Sequence, residues 1–90
     1  MGKGINPRSR WEIILDILEV IAKEGNRAKK TRIMRKAYLD WRNFHRHFNF
    51  LREMGFVEEI DDVSGGALYE LTERGKDLRG KLKDIGVILQ

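Results

Sequence analysis

The sequence predicts a mostly α-helical α+β domain in which three helices, a β-hairpin and a fourth helix follow one another. Four segments carry apolar residues at helical spacing, and two short apolar segments flank a Gly-Gly turn of the kind that closes a hairpin. The chain has 90 residues, which suffices for one domain. We place that domain at residues 9–90 and expect residues 1–8, which include two Gly and a Pro, to form a flexible arm.

The first helix is predicted from Ser9 to Gly25. Ser9 and Glu12 have the S-x-x-E spacing of a capping box, and Gly25 is a typical helix stop. The main apolar face of this helix carries Trp11, Ile14, Leu15, Leu18, Ile21 and Ala22. A second apolar strip beside it consists of Ile13, Ile17 and Val20. Because the combined arc is wider than one small core needs, we expect the C-terminal segment or a second copy of the chain to cover it.

The next two helices form a helix-turn-helix arrangement. Thr31 is the predicted N-cap of a short helix that ends near Tyr38, and Asp40 caps a longer helix that ends at Gly55. Only about two residues separate them, as in this motif. The short helix has an apolar face with Met34, Ala37 and Tyr38. The longer helix has an apolar face with Phe44, His47, Phe48, Leu51 and Met54, and its opposite face carries Arg42, His45, Arg46, Asn49 and Glu53.

A hairpin and a last helix complete the predicted domain. Residues 56–60 and 67–71 are the predicted strands, and residues 61–66 form the turn. Thr72 caps the last helix, which runs from about residue 72 to about Ile85, before Gly86. Since this helix and the apolar tail also exceed the needs of one core, we predict a symmetric homodimer through the first and last helices. The predicted interface consists of Ile13, Ile17, Val20, Leu82, Ile85, Val87, Ile88 and Leu89.

Charge is distributed unevenly along the chain, whose net charge is +4. Residues 27–52 contain nine basic residues and one acid, whereas residues 53–73 contain seven acids and no base. Such a basic block attracts polyanions, of which nucleic acid is the commonest inside cells. A merely solvated surface of a charge-rich protein is the alternative interpretation.

Residue types that support catalysis or metal binding are scarce. The chain has no Cys, which excludes disulfides and cysteine nucleophiles. His45 and His47 point about 200° apart on a helix, so they cannot hold one metal. Each Ser and Thr is explained by a helix cap or a turn. We therefore predict no cofactor, no metal and no enzymatic activity. No apolar run reaches the roughly 20 residues of a membrane span, and we expect a cytoplasmic protein.

Three motifs occur in an order that is similar to small archaeal winged helix-turn-helix DNA-binding proteins. Residues 30–37, KTRIMRKA, resemble the K-T-x-I-M-x-x-A run of that family, and residues 48–57, FNFLREMGFV, resemble its Y-L-x-x-L-x-x-x-G-L-I segment. Residues 69–75, YELTERG, match Y-x-L-T-x-x-G. The resemblance covers roughly residues 11–82. It implies a winged helix-turn-helix that binds double-stranded DNA in transcription regulation or chromatin on the nucleoid, usually as a dimer built on terminal helices.

Residue types on the two helices suit such a role. Arg can bind guanine bidentately and Asn can bind adenine, so we predict base readout by Arg42, His45, Arg46 and Asn49. The predicted phosphate contacts are Lys29, Lys30, Thr31, Arg32, Arg35 and Lys36. The alternative is a winged-helix module that binds another protein through its acidic hairpin and first helix.

Overall fold

The computed structural model describes residues 8–89 and confirms the predicted order of elements. In chain order these are α1 (Arg10–Lys23), β1 (Arg27–Ala28), α2 (Lys30–Lys36), α3 (Trp41–Glu53), β2 (Val57–Asp61), β3 (Ala67–Leu71) and α4 (Glu73–Leu89). Residues 1–7 of the predicted arm lie outside the described residues. None of the helices in residues 8–89 is both long enough and apolar enough to cross a membrane.

A three-stranded antiparallel sheet joins the hairpin to the segment after α1. The strand order is β1-β3-β2, with Ala28 opposite Tyr69 and Val57 opposite Leu71. Strand β1 was not predicted, because two residues are too few to show an alternating pattern. Strand β1 fixes the start of α2 against the sheet, so the hairpin and the helix-turn-helix form one unit.

Helix α1 is the central helix of the domain, and this corrects part of the predicted dimer interface. It contacts α2, α3, α4, β1 and β3. Ile17 is therefore completely buried inside one chain, while Ile13 and Val20 pack half-buried against the same core. Ile17 is therefore not available to a dimer interface, whereas the assignment of Ile13 and Val20 to such an interface stays a prediction. Trp11, which was predicted on the main apolar face of this helix, is 49% exposed.

Local capping signals account for most helix ends. Ser9 forms the predicted capping box with Glu12, Asp40 accepts a hydrogen bond from the Asn43 backbone N–H, and Thr72 accepts one from that of Gly75. The prediction for α2 is wrong: its N-cap is Lys29, without a side-chain cap, and Thr31 lies inside the helix.

Two C-terminal helix ends also differ from the expectations. Tyr38, predicted on the buried side of α2, lies beyond the helix at φ 55° and is 88% exposed. It occupies the left-handed position that Gly25 fills after α1 and Gly55 after α3. At the other end of the chain, α4 continues past Gly86 to Leu89, since Gly86 keeps a negative φ instead of ending the helix.

Candidate nucleic-acid interface

The exposed face of α3 carries three of the predicted base-reading side chains. Phe44, Phe48 and Leu51 are completely buried and fix the rotation of α3 on the core. Arg42, Arg46 and Asn49 are consequently exposed on the opposite side, in the first three turns. Within residues 8–89, neither arginine forms an ion pair. Both guanidinium groups are thus available to a ligand.

His45 does not share this exposure. Its Nε2 atom is buried and has no hydrogen-bond partner among the described residues. The imidazole lies against the Trp41 ring, with 4.0 Å between centroids, and 5.8 Å from the centroid of Phe44. His45 is half-buried with its ring on Trp41, so the geometry gives base readout by His45 less support than readout by the three exposed residues, and it stays a prediction.

The predicted phosphate contacts divide into available and engaged groups. Thr31, Arg35 and Lys36 are exposed on α2, and neither Arg35 nor Lys36 is ion-paired within residues 8–89. Arg32 Nε instead donates to Glu24 at 2.8 Å, and Lys29 Nζ lies 3.8 Å from Asp62. The ammonium of Lys30 lies close to 6 Å from the ring centroids of Trp41, Phe48 and Tyr69. Arg35 and Lys36 therefore carry free positive charge on α2, as Arg42 and Arg46 do on α3.

Arg8 is a positioning residue that the sequence does not predict. Its guanidinium donates to Asp16 at 2.6 Å, to the Ala37 carbonyl at 2.8 Å and to the Tyr38 carbonyl at 2.9 Å. Arg8 thereby ties α1 to the turn between α2 and α3, while the flexible arm, of which residues 1–7 lie outside the described residues, stays a prediction. Partners 8 to 30 residues away leave no local signal in a sequence.

His47 is expected to make folding sensitive to acid. Burial lowers the pKa of His47 below its ordinary value of 6.5, and the charges of Arg10 and Arg46 lower it further. The unfolded chain consequently binds the proton more tightly than the folded one. We expect the free energy of unfolding to decrease as the pH falls below about 6.5, toward the lowered pKa. Urea unfolding of the wild type and His47→Gln at several pH values measures this, and an equal decrease in both would contradict the assignment.

An apolar groove runs between α1 and α4. Its volume is about 940 Å³, and its apolar lining consists of Trp11, Leu15, Leu78, Leu82 and Ile85. Two of the predicted dimer residues, Leu82 and Ile85, thus line an open surface. Of the side chains of Val87, Ile88 and Leu89 nothing is described. No cluster of three or more potential metal ligands exists in residues 8–89.

Comparison with known proteins places this helix-turn-helix and hairpin in a family. The winged helix-turn-helix family matches residues 7–89, and the chain belongs to it. Among its relatives is the uncharacterized protein MJ0287 of the archaeon Methanocaldococcus jannaschii, which is 43% identical over 82 residues, 91% of this chain and 77% of the relative.

Solved structures show the same architecture. Sso10a-2, a DNA-binding protein from Sulfolobus solfataricus, superposes with a TM-score of 0.78 at 25% identity, over 90% of this chain and 81% of that protein. The transcriptional regulator BldR from the same organism has a TM-score of 0.69 at 16% identity, over 83% of this chain and 55% of its own. The likeness to BldR concerns the fold alone.

Proposed function

We propose that this protein binds double-stranded DNA through α3 and acts as an archaeal transcription regulator in the cytoplasm, on the nucleoid. The observation that carries the proposal is the exposed surface of Arg35, Lys36, Arg42, Arg46 and Asn49, whose cations have no ion-pair partner within residues 8–89. This surface lies on the two helices that form a helix-turn-helix. That Sso10a-2 is a DNA-binding protein supports the proposal.

The two helices are proposed to contact different parts of the DNA: α3 contacts the bases and α2 the backbone. In the proposed complex α3 enters the major groove, where Arg42 and Arg46 reach guanine edges and Asn49 reaches adenine. Helix α2 crosses the backbone, and Arg35 and Lys36 neutralise phosphates. Phosphate contacts supply most of the affinity and the α3 contacts supply the sequence preference. Such a protein is a binding protein, with no chemical step to catalyse.

Two copies are proposed to act together through the α1–α4 groove. Leu78, Leu82 and Ile85 form an apolar stripe along α4, a helix of 17 residues, and Ile85 is 51% exposed. Light scattering at tens of micromolar should give the mass of a dimer, since ~µM affinity suits a modest interface. Ile85→Glu should shift the protein to a folded monomer by placing a charge in the groove. A wild-type monomer would contradict the proposal.

The acidic wing, which is the hairpin of β2 and β3, is expected to oppose DNA binding. Asp62 lies 3.8 Å from Lys29, and its carboxylate also accepts hydrogen bonds from Ser64, which hold its pKa below the usual range. Asp62→Asn should free Lys29 and tighten duplex binding by a few fold. Asp61→Asn is the matched control, since Asp61 is exposed and has no ion pair in the described residues. Weaker DNA binding by a folded Asp62→Asn variant would show that the wing makes a favourable contact.

Selection of duplexes from a random-sequence library tests the proposal itself. The purified protein should enrich a defined motif, and a symmetric dimer should enrich two half-sites about ten base pairs apart or a multiple of this. No enrichment, together with weak duplex binding at low salt, would move the protein-binding interpretation to first place.

A further inference from the structure

Trp41 has a large exposed surface beside the candidate interface, and none of the roles assigned so far uses it. It is the first residue of α3 and is 62% exposed. Its ring is held in place by the imidazole of His45 on α3, at 4.0 Å between centroids. Rigid aromatic side chains of this kind are enriched in binding surfaces because they offer much contact area and lose little conformational entropy.

Trp41 lies beside Lys30 at the start of α2, and we use the name wing-side crease for Trp41, Lys29, Lys30 and Asp62. Lys30 Nζ lies 6.0 Å from the Trp41 centroid and 5.9 Å from that of Tyr69 on β3. The Lys29–Asp62 ion pair connects the start of α2 to the wing. The crease thus combines an exposed indole, two ammonium groups and one carboxylate.

We infer that the wing-side crease holds one strand of the DNA backbone, with the Trp41 indole packed on a deoxyribose and the Lys30 ammonium facing a phosphate. The inference rests on the proposed function, in which α3 occupies the major groove. The backbone that borders this groove must then pass beside α3, and Trp41 and Lys30 are the first residues of α3 and α2. Phosphates and sugars alternate along a DNA strand. A cation beside an apolar ring can therefore contact a phosphate while the ring packs on the neighbouring sugar.

The Lys29–Asp62 pair acts as a competitor in this arrangement. Lys29 must exchange the Asp62 carboxylate for a phosphate when the backbone enters the crease. Lys30 has no such competitor, because in the described residues it faces aromatic rings and forms no ion pair. Lys30 is accordingly expected to contribute more to phosphate binding than Lys29.

Fluorescence of Trp41 tests the inference directly. The chain has two Trp residues, so Trp41 is the only one in Trp11→Phe. A labelled duplex of about 20 base pairs at about 50 mM salt reports binding by its own anisotropy, independently of Trp41. We expect the emission of Trp41 to change and to saturate at the same duplex concentration as the anisotropy.

Variants in the Trp11→Phe background distinguish a direct contact between Trp41 and DNA from a structural role of Trp41. Trp41→Ala should lower duplex affinity about five- to tenfold and leave the salt dependence unchanged, since Trp41 carries no charge. Trp41→Phe should restore most of the affinity, and Lys30→Ala should reduce the slope of log affinity against log salt by about one unit. Thermal unfolding confirms that each variant is folded.

The outcomes distinguish this inference from the function on which it rests. If the duplex binds while Trp41 emission stays constant and Trp41→Ala keeps full affinity, the crease is not the backbone site, although DNA binding stands. If no duplex binds to the wild type at low salt, both proposals fail. If a single-stranded oligonucleotide changes Trp41 emission and the duplex does not, the crease binds unpaired bases and the inference is overturned.

Discussion

Gly75→Ala is expected to destabilise the protein by about 3 kcal/mol or more, at the upper end of overpacking costs. A Cβ at this position would lie 2.0 Å from the carbonyl oxygen of Phe56, a backbone atom that cannot swing aside. Helix α4 cannot retreat, because the Thr72 hydroxyl donates to the Gly55 carbonyl at 2.6 Å and accepts from the Gly75 N–H at 3.1 Å. The Gly at the end of the Y-x-L-T-x-x-G motif thus lets α4 start directly against the end of α3.

Gly80→Ala is the matched control on the same helix. A Cβ at Gly80 meets no atom within 4 Å, so this change should stabilise α4 by up to about 1 kcal/mol through helix propensity alone. Urea unfolding of both variants gives the comparison. Equal stability of Gly75→Ala and Gly80→Ala would show that the close approach at Phe56 is not a real constraint.

The triple change of Arg42, Arg46 and Asn49 to Ala should abolish sequence preference and lower affinity for the preferred duplex at least about a hundredfold. Each good base contact contributes about 1–3 kcal/mol of discrimination, so even partial loss of three contacts reaches this size. The fold should persist, since all three side chains are exposed on the face opposite the core. Far-ultraviolet circular dichroism and thermal unfolding check the fold, and anisotropy measures the affinity.

Two control variants separate base readout from loss of charge. A double variant with Lys76→Ala and Lys83→Ala loses two exposed cations from α4, and its duplex affinity should change little. Lys36→Ala should weaken binding to all sequences alike and lower the salt slope by about one unit, as a lost phosphate contact does. If the triple variant retained both affinity and preference, α3 would not be the reading helix.

Signals that act within a few residues were sufficient to predict most of the fold. The N-caps at Ser9, Asp40 and Thr72 and the Gly residues after α1 and α3 each depend on contacts within one turn. Such contacts can be predicted from the neighbouring residues in the sequence. The end of α2 was harder, because Tyr38 holds a left-handed conformation that normally indicates Gly or Asn.

Features that depend on distant partners could not be predicted. The apolar arc of α1 indicated that something covers Ile17, but periodicity cannot tell a neighbouring helix from a second chain. Likewise, the sequence shows that Arg32 is basic and not that Glu24 occupies its guanidinium. Even for a close neighbour the wheel has a limit: it gives the direction of the His45 Cβ atom and not the packing of its ring on Trp41.

The salt dependence of duplex binding tests the central claim most directly. If each subunit of a dimer holds about three phosphates, through Arg35, Lys36 and the wing-side crease, affinity should fall about a thousandfold between about 50 and 200 mM salt. Anisotropy titrations with one labelled duplex at several salt concentrations measure this. A steep linear decrease of log affinity with log salt is the predicted result. Duplex binding that changes less than about tenfold over this range, or that is absent at low salt, would contradict a role in DNA binding.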